Sequence, residues 1–319
     1  MPSKAKHLGF LVLLPLLVGS AAGAAQSATL RVGKAQATPI DFTPVDVGIE
    51  KGFFKERGLD IEIIAFAGSA KLQQAFAAHA ADIGLGSGPE LAFIAKGAPV
   101  MAVAAYAGPP SDLVLAARMD LPIKTAADLK GRKIGVSTVG SLTDWCVREL
   151  SRQQGWGNDG INIVDLGSIA AEVAGMRSKN VDGATQDVAS ALRLEQEGVA
   201  HAIVNFADVI PHFIFHVTFA TNTLIKEHPD QVRAFNAGWF QTIVWMRGHK
   251  DETVKIIAPV MHQTPEITAK VYDTAMSEFS DTGKFDPQAV AVLQRSFVEM
   301  GTLTSPPDMS KLYTEAFLP

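Results

Sequence analysis

One local pattern recurs along this chain: a short apolar run ends in a turn rich in Gly, Ser or Thr, and a helical pattern follows directly. The clearest example starts at Lys133–Val136, passes through residues 137–141 and enters a helix that carries Trp145. Similar units occupy residues 82–97 and 182–198. Strands that alternate with helices in this way build sheets with helices packed against them. The sequence therefore predicts an α/β protein made of two comparable units.

The turn at residues 137–141 has the features of an anion-binding site. Ser141 is the predicted N-cap of the following helix, and Asp144, three residues later, is placed to complete a capping box. A helix N-terminus leaves backbone N–H groups free and carries the positive end of the helix dipole, so it can hold an anion without Arg or Lys. The same turn can also serve packing alone, and the sequence leaves both interpretations open.

Size and charge restrict the class of protein. The chain has 319 residues, which is enough for two domains, and its formal net charge of -5 gives no basic field for nucleic acid or an acidic membrane. Cys146 is the only cysteine, so an internal disulfide is excluded. We expect it to be a buried, unreactive thiol.

Residues 1–27 resemble a cleavable signal peptide. Lys4 and Lys6 precede a short apolar core at residues 8–18, and the small residues at 22–24 match an A-x-A cleavage pattern. The apolar core is too short to span a bilayer comfortably. The sequence predicts a mature protein that is exported and soluble.

Four runs resemble the exported binding proteins of ABC importers for nitrate, sulfonate, taurine and thiamine precursors: residues 52–62, 81–100, 128–136 and 226–229. The resemblance implies a type II periplasmic-binding fold, in which two crossing segments join two α/β lobes around a ligand cleft. It places residues 28–116 and 217–319 in lobe one, and residues 117–216 in lobe two.

Ligands of open α/β sheets sit beyond the carboxyl ends of strands, where helices begin. The turns at those positions also carry ligand contacts in the family that the chain resembles. Together they give the candidate ligand-binding residues Thr38, Asp41, Phe42, Gly68, Ser69, Ser87, Gly88, Pro89, Glu90, Thr138, Gly140, Ser141, Leu142, Trp145, Gln186, Asp187 and His212.

The predicted ligand is small and acidic, with an apolar or aromatic body, as in an aromatic sulfonate. Helix dipoles are too weak to supply micromolar affinity alone, and Phe42 and Trp145 can bury apolar surface. Asp41, Glu90 and Asp187 complicate this prediction: each either caps a helix or faces the ligand. If one of them faces the ligand, an amine or a ring N–H is implied, which favours a zwitterion or a pyrimidine.

We expect a monomeric solute-binding protein that delivers its ligand to an ABC permease in the inner membrane, with no cofactor, no nucleic acid partner and no catalytic residues. Trp145 can instead belong to the core. His212 and His216 have the spacing of a zinc pair, but their segment reads as a strand without a third ligand, so no metal site is predicted. Two alternatives remain: an enzyme related to pyrimidine-precursor synthases of the same fold, which carry a cysteine-rich motif, and a sensing subunit that docks on a membrane receptor.

Overall fold

The computed structural model describes Met1 and residues 28–319, so the predicted signal peptide lies outside the described residues. Ten strands form two sheets of five. The strands are β1 (Ala28–Lys34), β2 (Leu59–Ala65), β3 (Ile83–Ser87), β4 (Val100–Ala107), β5 (Leu113–Arg118), β6 (Lys133–Val136), β7 (Asn162–Asp165), β8 (Gly183–Asp187), β9 (Ala200–Asn205) and β10 (His216–Thr221).

The two sheets have equivalent topology. The first has the order β2-β1-β3-β10-β4, with β1 parallel to β2 and β3, and β10 antiparallel to β3 and β4. The second has the order β7-β6-β8-β5-β9, with β6 parallel to β7 and β8, and β5 antiparallel to β8 and β9. In each sheet the antiparallel strand is the one that arrives from the other lobe. The predicted pair of α/β lobes with two crossing segments is thereby confirmed.

The strand pairing shifts the predicted lobe boundaries of 116/117 and 216/217. The first of them falls inside β5, although that whole strand pairs in the second sheet. His216 pairs with Ser87 and Ala107 and therefore belongs to the first sheet. The crossing segments are residues 108–112 and 206–215, because no strand of either sheet occupies them.

Twelve α-helices of the described residues pack around the sheets. They are α1 (Pro44–Glu50), α2 (Ser69–Ala77), α3 (Leu91–Ala95), α4 (Leu142–Gln153), α5 (Ile169–Arg177), α6 (Val188–Gln196), α7 (Phe206–Val209), α8 (Asn222–Glu227), α9 (Pro229–Gly248), α10 (Lys250–Val260), α11 (Pro265–Glu278) and α12 (Pro287–Glu299). Pro at the first turn starts four of them, where its missing N–H costs no hydrogen bond. Within residues 28–319, no helix combines the length and apolarity that a bilayer crossing requires.

The C-terminal helices cover the first sheet, as their apolar pattern predicts. The apolar residues of α9 that recur at helical spacing are fully buried: Val232, Phe235, Trp239, Ile243 and Met246. Two of them join aromatic pairs. Phe235 stacks on Phe54 with ring centroids 5.2 Å apart, and the ring of Trp239 lies 4.7 Å from that of Tyr106 in β4. This packing holds α9 against the first sheet.

The lobes touch each other on two sides of the space between them. A Cβ atom on Gly68 of lobe one would lie 3.1 Å from the carbonyl oxygen of Gly167 and 3.1 Å from Cγ2 of Thr138 in lobe two. On another side, Arg152 of α4 donates to the carboxylate of Glu299 at the end of α12, at 2.9 Å. The structure therefore represents a closed arrangement of the lobes.

Candidate binding cleft

A cavity of about 70 Å³ lies between the two lobes, at the ends of strands from both sheets. Residues from each lobe and from both crossing segments line it: Ala35, Gln36, Pro39, Asp41, Phe42, Ser69, Ser87, Glu90, Asp112, Leu113, Ser137, Ser141, Leu142, Thr143, Ile169, Glu172, Thr185, Gln186, Asp187, Phe215 and His216. The equivalent turns of the two lobes thus meet in one place, as expected for ligand sites of α/β sheets.

The cavity brings together nine of the seventeen predicted residues: Asp41, Phe42, Ser69, Ser87, Glu90, Ser141, Leu142, Gln186 and Asp187. Eight do not line it: Thr38, Gly68, Gly88, Pro89, Thr138, Gly140, Trp145 and His212. Most of these eight are immediate chain neighbours of lining residues. The predicted turns therefore meet at the cavity, but only some of the predicted side chains line it, and their contact with a ligand stays a prediction.

Trp145 and His212 lie elsewhere for clear physical reasons. Trp145 is fully buried and stacks on Phe213, with centroids 4.4 Å apart and planes 10° apart, so the core interpretation holds for it. His212 lines a second cavity of about 290 Å³, together with Gly108 and Glu278, behind the crossing segments.

The turn before α4 is organised differently from its prediction. Ser141 is the N-cap residue by position, but its hydroxyl accepts no capping bond and instead lies 3.1 Å from Ser137 Oγ and 3.0 Å from Thr143 Oγ1. Asp144 accepts from the amide of Gly140 at 2.8 Å and from Arg148 at 2.7 Å. The predicted capping box between Ser141 and Asp144 is therefore absent.

Three backbone amides of residues 137–141, besides that of Gly140, already have acceptors. The Ser137 amide donates to Thr143 Oγ1 at 3.0 Å, and the Val139 amide donates to Asp165 at 3.2 Å. The Ser141 amide donates to the carbonyl of Thr138 at 3.2 Å. An anion-binding role of this turn would therefore depend on the N–H groups of the first turn of α4, which receive no side-chain cap.

Two of the three acidic residues singled out in the sequence are helix caps. Glu90, which is fully buried, accepts from the Ser87 amide at 2.8 Å, from the Ser87 hydroxyl at 3.1 Å and from Gln73 at 2.9 Å. Asp187 caps α6, with Oδ1 accepting from the Ser190 amide at 2.8 Å. Asp187 Oδ2 is buried and has no hydrogen-bond partner, so helix capping accounts for only one of the two carboxylate oxygens.

Asp41 forms the centre of a buried pair with His216, a residue that the sequence analysis did not place in the cleft. The imidazole Nε2 lies 3.4 Å from Asp41 Oδ2, and Nδ1 lies 3.2 Å from the carbonyl oxygen of Gly86. Both neighbours are acceptors, and a protonated ring would donate to both. Asp41 Oδ1 has no partner, and the phenyl ring of Phe42 lies 4.8 Å from the imidazole.

Two further carboxylates line the cavity, and sequence analysis missed both. Asp112 belongs to the first crossing segment, and its Oδ1 accepts a hydrogen bond of 3.3 Å from the Val188 amide. Glu172 lies one turn into α5 and accepts from Gln186 at 2.9 Å. The strand-turn-helix pattern at Gly167 and Ser168 could have indicated Glu172, whereas the crossing segment carries no such pattern.

Burial governs the acid strength of these groups. It raises the pKa of Asp187 above its ordinary value, and it raises the pKa of Glu172 well above. Burial also raises the pKa of Asp112 well above its ordinary value, and the nearby charges of Asp41 and Asp187 raise it further. The cavity is therefore a site where negative charge is crowded and poorly solvated.

The sequence matches a known protein family. Residues 39–253 match the family model described as NMT1/THI5 like, which is more than half of the chain. The chain belongs to the NMT1/THI5-like family. Within it, a Haemophilus influenzae protein named for thiamine biosynthesis is 29% identical over 127 residues, covering 40% of each chain. A Brucella abortus protein named as a binding protein is 26% identical over 215 residues, covering 66% of this chain and 65% of the relative.

The chain thus aligns with less than two thirds of either relative's length. Solved structures of the same fold align with a larger share of the chain. A Bordetella bronchiseptica protein superposes with a TM-score of 0.78 at 23% identity, over 92% of this chain and 96% of the other. The alkanesulfonate-binding protein SsuA of Xanthomonas axonopodis pv. citri, bound to MOPS, gives 0.75 at 17% identity, over 92% and 99%. These matches confirm the predicted type II periplasmic-binding fold.

The fold is also used by an enzyme. The desulfurization enzyme DSZB superposes on the NMT1/THI5-like chain with a TM-score of 0.66 at 18% identity, over 91% of this chain and 97% of that chain. The fold alone therefore does not distinguish a binding protein from an enzyme. The residues that line the cavity have to distinguish them.

Proposed function

We propose that the protein is the solute-binding component of an ABC importer, exported to the periplasm, where it captures a small molecule between its lobes and hands it to a membrane permease. The observation that carries this proposal is the cavity itself, which is lined from both lobes and both crossing segments. A site built in this way closes when the lobes approach each other and opens when they separate. A monomer is sufficient for such a cycle.

Of the two ligand classes that the sequence leaves open, the hydrogen-bond-donating class has the better support. The lining residues include five carboxylic acids but no Lys or Arg. Where these acids are ionised, a sulfonate would meet like charge without a compensating Lys or Arg. A ligand that carries N–H groups would supply the donors that the buried carboxylates lack.

The cavity favours a receptor over an enzyme. Cys146, the only cysteine, does not line it, and burial raises the pKa of its thiol well above the ordinary value. A thiol in that state is a poor nucleophile. The proposal therefore includes no catalytic step and no cofactor.

A thermal-shift screen tests this function directly. A ligand at concentration L that binds only the folded cleft stabilises the protein by RT ln(1 + L/Kd), which is about 2.7 kcal/mol at a concentration of a hundred times Kd, and so raises the melting temperature. We expect a shift with at least one member of a panel of sulfonates, aromatic acids, amines, pyrimidines and riboflavin, and recovery of that compound unchanged afterwards. Chemical conversion of the compound would contradict the receptor proposal, as would the absence of any shift.

A further inference from the structure

The cavity has an unbalanced set of charges. Five carboxylic acids line it, and the carboxyl of Glu278 lies close enough behind them to interact with Asp41 and Asp112. Among the lining residues the basic side chain is that of His216, and it is engaged with Asp41. The neighbouring cation Lys34 is paired with Asp46 and does not line the cavity. Negative charge on the remaining acids thus has no counter-charge from the lining residues.

The hydrogen bonds distinguish the lining acids that the fold itself satisfies from those that still have an acceptor atom without a partner. Glu90 and Glu172 each accept from neighbouring side chains, so their positions are explained by the fold. Among the residues that line the cavity, three buried acceptor atoms have no partner: Asp41 Oδ1 in lobe one, and Asp187 Oδ2 and Gln186 Oε1 in lobe two. Their residues are only 1%, 5% and 1% exposed. Buried acceptors without donors cost free energy, which a ligand with donors would recover.

We propose that the cleft binds a small organic cation, of the amidinium, guanidinium or ammonium type, between Asp187 of one lobe and Asp41 of the other. This inference rests on the proposed solute-binding function and specifies its ligand. Asp187 supplies the principal counter-charge because its buried Oδ2 has no hydrogen-bond partner, whereas Asp41 is already engaged with His216. Gln186 accepts a further N–H from the same group.

The rest of the cavity suits a cation with a flat body. Phe42 and Phe215 line it from lobe one and from the second crossing segment, and aromatic faces attract cations. Across residues 28–319 there is no cluster of three or more His, Cys, Asp or Glu side chains suited to a metal ion. An organic cation therefore fits the acceptors and the apolar walls together better than an inorganic one.

Protons compete with such a cation. Asp187 faces Asp112, Glu172 and Arg193, while Asp41 faces His216 and Glu278. In the empty closed cleft, burial favours the protonated acids, and a bound cation replaces those protons. Affinity for a cation is thus expected to rise with pH, as the buried acids lose protons.

Three compounds with one phenyl body separate the possibilities: benzamidine is a cation, benzamide is neutral and benzoate is an anion. We expect benzamidine to bind at least roughly tenfold more tightly than the other two by calorimetry, and at least roughly tenfold more tightly near pH 8 than near pH 5.5. Agmatine and guanidine are parallel cationic probes.

Asp187→Asn is the decisive variant because Asn also caps helices well, so α6 is preserved. We expect it to weaken benzamidine binding at least roughly tenfold and to flatten the pH dependence. Asp159→Asn is the matched control, since it removes one charge from the same lobe at a side chain that is 96% exposed. Its binding should stay within about twofold of the parent protein.

Equal or tighter binding of benzoate overturns the inference, and so does an absence of binding by all three cations. If sulfonates or other anions shift the melting temperature in the general screen while these cations do not, the ligand class is wrong and the receptor function stands. If no compound of either panel binds, both proposals fail. Benzamidine binding that Asp187→Asn leaves unchanged also contradicts the assigned counter-charge.

Discussion

Replacing Glu278 with glutamine is expected to raise the free energy of unfolding by roughly 3 kcal/mol at pH 7, and by less at lower pH. Glu278 ends α11 against the first crossing segment and is 5% exposed. Burial raises the pKa of its carboxyl to about 9, and the nearby charge of Asp41 contributes. The hydroxyl of Ser111 and the amides of Ser111 and Asp112 lower this pKa without reversing the shift.

The direction of the effect follows from proton binding. Between the ordinary value of 4.5 and a pKa of about 9, folded Glu278 keeps a proton that the unfolded chain has lost. Each pH unit in this window therefore costs the folded protein roughly 1.4 kcal/mol, whereas glutamine has no proton to lose. The stability contributed by the protonated acid is fully present below pH 4.5 and declines as pH rises.

Urea unfolding at several pH values between about 4.5 and 8.5 measures the effect. Glu266→Gln is a suitable control, because Glu266 lies on the same helix with a side chain that is 74% exposed and paired with Lys270. An exposed ion pair of this kind contributes little to stability. If the free energies of unfolding of Glu278→Gln and the parent protein differ by the same amount at every pH, Glu278 does not hold a proton in the folded protein.

Trp145→Ala is expected to lower the free energy of unfolding by roughly 3–5 kcal/mol, because it opens a large cavity in a fully buried position. Trp145→Phe keeps a ring against Phe213 and removes the indole N–H, which has no partner, so its cost should be smaller. Since Trp145 does not line the cleft, ligand affinity of Trp145→Phe should stay within about twofold of the parent protein.

Chemical unfolding and calorimetry on the same samples separate stability from affinity. Trp245→Ala provides the comparison: this ring is partly exposed and contacts His249 and Lys51 at the surface. We expect a much smaller loss of stability there. A tenfold loss of affinity in Trp145→Phe at unchanged stability would place Trp145 in ligand contact and contradict the described geometry.

Much of the fold could be predicted because strand, turn and helix signals are local. Pro44 starts a helix, Gly58 ends one in the left-handed conformation, and the apolar stripe of α9 is buried as its spacing predicts. The lobe boundary was less accurate, since β5 begins in the second sheet directly after a crossing segment. Which sheet a strand joins depends on pairing with distant residues, which local signals do not encode.

The cleft was only half predictable for the same reason. Asp112 and His216 lie in or next to crossing segments, where no strand-turn-helix pattern marks them. The amide of Val139 looked free in the sequence, yet it is held by Asp165 from the neighbouring strand. Local patterns show where donors and acceptors occur, but tertiary contacts decide which of them remain available to a ligand.

The central claim is that the two lobes close around a small molecule. The most direct test is a distance measurement by pulsed electron resonance between spin labels at Gln74→Cys of lobe one and Val139→Cys of lobe two, both at exposed positions. Native Cys146 is buried and should remain unlabelled. A second pair at Val139→Cys and Asp159→Cys, both in lobe two, is the control.

With the ligand identified by the thermal screen, we expect the interlobe pair to give one short, narrow distance, and without it a longer or broader distribution. The control pair should give the same distance in both states. An interlobe distribution that is identical with and without saturating ligand would contradict capture by closure.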